Sequence, residues 1–573
     1  MTVNENHANL NLSLKDFLFG NQSFSQDMFK NIPSCFATVY TWVWNTKITE
    51  DGIREKIDVM RKNKIRAFYI LPEPYEFRPQ TMITHLEPEY LSEEYFSLVH
   101  FAVSYAEQNG LMCWLYDEGG WPSGSACGRI VSNWHSLEQT EKFIESTYVP
   151  YANALKDCHP ELMFTDEPNA GSYVNDGYEK SIEAFTASLK KTADFCHENG
   201  WLFAGHLDND NKSGAGRYNA YGSALQCLQV MDIPGIDVIS YQIASKKSKC
   251  NGWDGDMPFY PRMASSAAAQ SGHALALSET FAVYGNSVSP DEMRWIIGAQ
   301  IVRGINLFNF MLMPYSDEES FSFQERTDFT PAMPGFGNLH AVTEDFERAC
   351  YFMSHGKPET DTAIIFPDKE LWGDSEEDKN TVTAFCKLGE SLEKKGIDFD
   401  ITDEKTLARG TIKDGILTIG YAKYRQLLTL PGQKINDITA KIIKSVSGKS
   451  KQFVLSDDPS LWHKVRKDEK GNLFICLFNS NSDEITSSVH IESKLPLYRM
   501  DAKSGEAKAF ENGSKVTLQM GDMLLLYAGN DNIEVRKEFI FGNSIQATPI
   551  DFADPTEDKY QGADREIVES VYR

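Results

Sequence analysis

Eight times between residues 35 and 345 the chain repeats one unit: a short apolar run, a loop, then a longer stretch with apolar residues at i, i+3, i+4 and i+7. The apolar runs are CFATVYTW (35 to 42), IRAFYIL (65 to 71), LMCWLY (111 to 116), ELMFTD (161 to 166), WLFAGH (201 to 206), DVISYQ (237 to 242), ALALSE (274 to 279) and INLFNFML (305 to 312). Helical patterns such as EDGIREKIDVMRKNK, SEEYFSLVHFAVSYAEQNG and SPDEMRWIIGAQIVRG lie between them. Ser92 ahead of Glu93 and Glu94, and Ser289 ahead of Pro290 and Asp291, are helix starts with acidic first turns. Strand and helix in alternation build a parallel sheet, because each helix carries the chain back to the start of the next strand. Eight units over about 310 residues predict an α/β chain built on a TIM (β/α)8 barrel, whose usual size is ~250 residues plus insertions. A doubly wound open sheet is the alternative.

The rhythm ends after His355. TDTAIIF, the helical NTVTAFCKLGESLEKKG, IDFDIT, YRQLLTLPG and NDITAKIIKSV predict a flavodoxin-like α/β unit over residues 356–452. Alternating runs such as NLFICLFNSNS and KVTLQMGDMLLLYAG, with Asn, Gly and Ser turns, predict an antiparallel β-sandwich over 453–550. The expected division is therefore an N-terminal arm (1–34), the barrel (35–355), these two units, and a tail (551–573).

Composition narrows the partners. Asp plus Glu number 82 against 56 Lys plus Arg, a net charge of -26, which repels nucleic acid and anionic membranes but not a neutral sugar. No run approaches the ~20 apolar residues of a membrane span, and MTVNENHANLNLSLKDF has no signal-peptide pattern. The ten cysteines form no CxxC pair, which argues against a zinc site and a disulfide framework. The expectation is a cytoplasmic protein with reduced thiols and no membrane or nucleic-acid partner.

Barrel function gathers where the strands end, on the face made by the βα loops. Those ends carry Trp42 and Trp44; Asp117 and Glu118, followed by Trp121; Asp166 and Glu167; His206 and Asp208; Tyr241 and Gln242; Glu279, with Tyr284 beyond it; and Asn309. Aromatic faces stack on sugar rings and carboxylates hold sugar hydroxyls. Two carboxyls in unlike environments, one protonated and one ionised, can cleave a glycosidic bond. Each residue also has a plainer use: a strand-end carboxylate caps a loop, a histidine satisfies the interior, a tryptophan packs. In WLYDEGGWPSGSACGR (114 to 129), Ser125 stands where a phosphate loop needs Lys, and Ala126 where a nucleophile elbow needs Ser, so nucleotide binding and ester hydrolysis find no support.

The run YLSEEYFSLVHFAVSYAEQNGLMCWLYDEGGWPSGSACG, then FTDEP, then PRMASSAAAQSGHALALSETFAVYG, resembles the barrel of glycoside hydrolases related to the calcium-dependent, inverting α-L-rhamnosidases. The resemblance covers roughly residues 36 to 320. The order of domains is instead similar to the retaining β-galactosidases that carry a trimerisation domain. In that superfamily the acid/base Glu follows strand four within an xEP sequence and the nucleophile Glu ends strand seven. The resemblance thus implies Glu167 as acid and Glu279 as its partner. Asp166 replaces the Asn usual before that Glu, and the additional β domains usual in the rhamnosidase relatives are absent.

The resulting expectation is an exo-acting glycoside hydrolase that removes a terminal sugar, α-L-rhamnose first. Trp42, Trp44 and Trp121 would form walls, and Asp117, Glu118, Asp166, His206, Asp208, Gln242 and Tyr284 would orient hydroxyls. No cofactor is expected to be required; the resemblance leaves room for a calcium ion on a sugar diol, with no ligands assigned, and analogy for a homo-oligomer. A retaining β-galactosidase-like enzyme and an inactive sugar-binding protein are the alternatives.

Overall fold

A computed structural model of the chain describes residues 12–77, 84–168, 177–208, 221–245, 257–285, 288–316, 327–331, 333, 336–373, 375–449 and 451–535. The expected tail (551–573), the first eleven residues of the arm and Cys250 lie outside the described residues.

Eight parallel strands close into a barrel in sequence order. They are β1 (Val39–Trp44), β2 (Ala67–Pro72), β3 (Met112–Tyr116), β4 (Leu162–Thr165), β5 (Leu202–Gly205), β6 (Ile233–Val238), β7 (Leu277–Thr280) and β8 (Leu307–Pro314). Most begin one to four residues after the apolar run that announced them. The sixth is a correction: the strand is IPGIDV, not DVISYQ, because Pro234 lies inside the ladder, opposite Gly205, in a place where proline usually argues against a strand. Helices fill the outside. The helix Glu50–Lys62 buries Ile53, Ile57 and Met60 at its four- and three-residue spacing. Ser92 caps Glu93–Gln108 by accepting the Tyr95 N–H at 3.1 Å, and Ser289 caps Pro290–Ile301 through Glu292 N–H at 3.2 Å.

Register decides which side chains enter the barrel. Thr41 pairs with Tyr69, Asp237 with Glu279, and Glu279 with Asn309, and neighbours in a parallel ladder point to the same face. The Thr41 hydroxyl meets that of Tyr69 at 2.7 Å, and Asn309 reaches both Tyr69 and Glu279, so this set faces inward. Trp42 and Trp44 belong to the opposite set. They pack outward, Trp42 on Phe68 and Trp44 on Tyr95 of the helix Glu93–Gln108.

The arm closes the end of the barrel where strands begin. Leu14 N–H donates to Glu161 at the start of β4, and Ala274 N–H, ahead of β7, donates to Leu18 O.

After the barrel come β9 (Lys357–Pro358), β10 (Thr362–Ile365) and β11 (Asp400–Thr402). Next are β12 (Thr411–Lys413), β13 (Ile416–Ile419), β14 (Ala422–Tyr424) and β15 (Gln426–Leu428). The order β11-β10-β15 is a parallel three-stranded layer, and β12 to β14 form a separate antiparallel meander that the sequence reading did not anticipate. The last part holds β16 (Val454–Ser456), β17 (Leu461–Lys467), β18 (Leu473–Asn479) and β19 (Ile485–Ile491). It ends with β20 (Leu497–Met500), β21 (Ala507–Ala509), β22 (Lys515–Leu518) and β23 (Met523–Ala528). They make two antiparallel sheets, β16-β19-β22 and β21-β20-β23-β18-β17-β9, closed on their own apolar core.

Buried ion pairs join the three parts. Arg262 binds Asp398 at 2.6 Å, Arg303 binds Glu393 at 2.8 Å, and Lys464 of β17 binds Asp398 at 3.0 Å. Burial alone would raise Asp398, yet Lys464 and Arg262 hold it well below the usual carboxylate range. Removing one partner of such a set strands a buried charge and costs about 3–5 kcal/mol. The cysteines among the described residues are free thiols, and no helix among those residues is long and apolar enough to cross a membrane.

Candidate active site

The inward set reaches the end of the barrel where the strands finish as a layer of acids around one histidine. Asp166, His206, Asp237 and Glu279 come from β4, β5, β6 and β7 or the residue just past them, and their exposures run from 1% to 4%. His206 Nε2 lies 3.1 Å from Asp166 Oδ1 and 3.7 Å from Glu279 Oε2. Tyr116 donates to Asp166 Oδ2 at 2.6 Å and Asn309 Nδ2 to Glu279 Oε2 at 3.4 Å. Below them the rings of Tyr69, Tyr116 and Phe164 stack, with centroids 5.3 and 5.4 Å from that of Tyr69. The layer rests on a rigid aromatic floor.

Glu167 enters from the rim. Its backbone has φ +46°, a left-handed conformation rare for a residue with a side chain, and it is 8% exposed. Burial and the charges of Asp208, Asp166 and Asp237 push its pKa well above the ordinary value. Glu279 is raised too, by burial first and by Asp166 second, but His206 and Asn309 pull against that rise. Burial would lower His206, yet its bonds and charge pairing with Asp166 and Glu279 carry it well above the ordinary value. Glu167, crowded by anions, holds a proton more tightly than an ordinary glutamate. Glu279 faces an imidazole and an amide that favour its charged form and is the easier of the two to ionise.

The anticipated residues divide. Asp166, Glu167, His206 and Glu279 converge as described. Asp208 stands three residues beyond β5, partly exposed, and its charge acts on Glu167. Trp121 is partly exposed beside Phe77, at 4.9 Å between centroids, in the loop whose Gly120 carbonyl accepts from Tyr116.

Five others are corrections. Trp42 and Trp44 are fully buried on the outside of the sheet and face helices, not the mouth. Tyr284 is 2% exposed and its hydroxyl donates to Ile243 O at 2.8 Å. Asp117 points away from the lumen and accepts from Ser123 at 2.6 Å and Tyr148 at 2.9 Å; burial pushes it up to about 8. Glu118 is the fifth. Its carboxylate accepts the backbone N–H groups of Gly119, Gly124, Ser125, Ala126 and Cys127, those of residues 124 to 126 each at 2.9 Å. Gly124 has φ +116°, and a Cβ there would stand 2.3 Å from Trp134 Nε1, so only glycine closes this ring of donors. Gln242 is only half available, since its carbonyl accepts from Ile239 N–H and the Tyr260 hydroxyl, both at 3.0 Å.

Asp237 is the acid of this cluster that the sequence reading did not single out. It sits opposite Glu279 in the ladder, and burial, with the charges of Glu279, Asp208 and Asp166 and against that of His206, pushes it up to about 7. Placing strand six four residues late moved it from a strand end to a strand start.

Asp166, His206 and Glu279 bring one ligand atom each within 4.8 Å of one another, a set that can hold a metal ion. Calcium does not fit it. That ion takes six to eight oxygens, whereas here one of the three donors is an imidazole nitrogen already paired with both carboxylates.

No protein-family model matches the chain, and no curated protein does. Among solved structures it is similar to a rhamnosidase from Novosphingobium sp. PP1Y, with a TM-score of 0.66 at 8% identity over 90% of this chain and 85% of that one. It is also similar to a catalytic mutant of Gan42B, a GH42 beta-galactosidase from G. stearothermophilus, with a TM-score of 0.50 at 10% identity over 86% of this chain and 98% of that one. At such identities the likeness is one of fold.

Proposed function

We propose that this chain is a glycoside hydrolase that removes one terminal sugar from a small glycoside or oligosaccharide. The observation that carries the reading is the unlike setting of two buried carboxyls at one barrel mouth. Glu167, among anions, holds a proton and donates it to the leaving oxygen. Glu279, beside His206 and Asn309, is ionised and works on the anomeric carbon, as base for water if the enzyme inverts or as nucleophile if it retains. Asp166, Asp208 and Asp237 bind hydroxyls, and the slight exposure of the acids favours a short subsite and hence exo action. α-L-Rhamnose is the first sugar to test, supported by the residue resemblance and by the fold shared with a rhamnosidase; a β-galactoside is the second, supported by the positions of Glu167 and Glu279. A cytoplasmic setting, supported by the free thiols, and a homo-oligomer belong to the same proposal.

A panel of nitrophenyl glycosides tests it, with the anomer of the first product followed by NMR. Turnover of one glycoside is expected. Should none be turned over while a free sugar still raises the melting temperature, the chain is a sugar-binding protein and the enzymatic reading falls.

A further inference from the structure

We infer that Trp372, which belongs to the α/β unit after the barrel, is a positioning residue for Asp208 at the barrel mouth. The inference rests on the proposed reading, in which Asp208 binds a sugar hydroxyl.

Strand β5 ends at Gly205, and His206 N–H makes a last ladder bond to Thr165 O at 3.3 Å. Asp208 lies two residues further on. Its carbonyl accepts the hydroxyl of Tyr221 at 2.8 Å, and Tyr221 is 2% exposed. The next residue, Gly222, has φ +78°, and a Cβ there would come within 2.7 Å of Ile182 on the helix Tyr178–Glu198, so this turn is pressed against that helix. The Gly222 carbonyl accepts the indole Nε1–H of Trp372 at 2.6 Å. Trp372 is itself fixed from the other side. The Tyr178 ring stacks on it at 4.9 Å and 6°, and the Tyr178 hydroxyl donates to the Trp372 carbonyl at 3.0 Å.

The chain of contacts therefore runs from the second unit to the site: Tyr178 holds Trp372, Trp372 holds Gly222, and Tyr221 holds Asp208. Past the end of the ladder a residue's position depends on the side chains that grip its backbone, and the Tyr221 hydroxyl is one such grip on Asp208.

Trp372→Phe tests the link, because it keeps a ring for Tyr178 to stack on and deletes the one N–H. Tyr221→Phe deletes the other bond in the chain. Each is expected to raise KM about tenfold, the weight of one buried neutral hydrogen bond, with kcat within about twofold. The double variant should be no worse than the weaker single one. Lys405→Ala breaks the exposed Lys405–Glu179 pair between the same two parts (2.7 Å) without touching Gly222, and should leave KM unchanged. Lower melting temperatures with KM unchanged in both ring variants would overturn the inference and leave a packing role only. If Trp372→Phe fails to fold, Tyr178→Phe, which removes the bond that fixes the Trp372 carbonyl and keeps the stacked ring, decides in its place through the same KM-against-kcat split. Failure here is separate from failure of the catalytic reading, which Glu167→Gln and Glu279→Gln decide through kcat.

Discussion

At the end of β3 the chain reads Tyr116-Asp117-Glu118, and at the end of β4 Thr165-Asp166-Glu167, two Asp-Glu pairs on neighbouring strands of one barrel. In the first pair each carboxyl is saturated from inside the protein, Asp117 by two hydroxyls and Glu118 by a ring of backbone N–H groups. In the second pair Asp166 meets the His206 imidazole, and Glu167 is surrounded by other acids. Burial raises the first pair as well, Asp117 to about 8 and Glu118 to about 7, but a proton held there is locked among internal partners, whereas on the proposed reading the one on Glu167 stands at the mouth to be given away. Residue type and spacing are the same in both, so chemistry follows from the neighbours.

The largest effect should come from the second pair. Glu167→Gln, and separately Glu279→Gln, are expected to cut kcat on the best glycoside about a thousandfold while the melting temperature stays within a few degrees. Rates within a few-fold of the parent would remove both from the catalytic role. Next in size, Glu118→Gln turns an NH2 toward a ring of donors and should cost about 2–4 kcal/mol of stability in denaturant melts, with kcat per folded molecule little changed. The reverse pattern in these two experiments would break the comparison.

Two pH experiments sharpen it. On the proposed reading Glu167 acts while protonated, so activity is expected to fall as pH rises through its raised pKa. Deleting a neighbouring negative charge with Asp208→Asn should move the alkaline limb of kcat/KM to lower pH, and an unmoved limb would mean that another group sets it. Asp117 is raised to about 8 from 3.8, so the folded chain holds a proton that the unfolded chain releases. Its contribution to stability is complete below about pH 4 and is lost as pH climbs toward 8. Asp117→Asn should therefore flatten the fall in melting temperature between pH 5 and pH 8. Smallest of all, Trp121→Ala should raise KM a few-fold, whereas Trp42→Phe should cost stability and leave KM alone.

Much of the barrel was legible because its strand and helix periods differ so plainly. Glu167 and Glu279 were legible as strand-end carboxylates, and resemblance singled them out from the rest. What could not be read was parity. A strand of six β-branched and aromatic residues, VYTWVW, says that Thr41 and Trp42 face opposite ways but not which of them faces in, and that single bit separates a lumen residue from a packing residue. Asp237 was lost to a local signal, Pro234, that the closed sheet overrode. Nor does any pattern in GGWPSGSACG show that its donors turn back on Glu118, since that bond is made by a backbone conformation, with Ala126 and Cys127 at φ +49° and +56°, that composition does not reveal.

That loop has a consequence for the working life of the site. A ring of N–H groups is an anion trap, and most such traps take their shape from whichever ion is dissolved nearby. This one comes with its acceptor covalently attached, the Glu118 carboxyl, whose oxygens occupy the places an ion would take, so the fold of the loop that carries Trp121 draws on no dissolved ion for this ring.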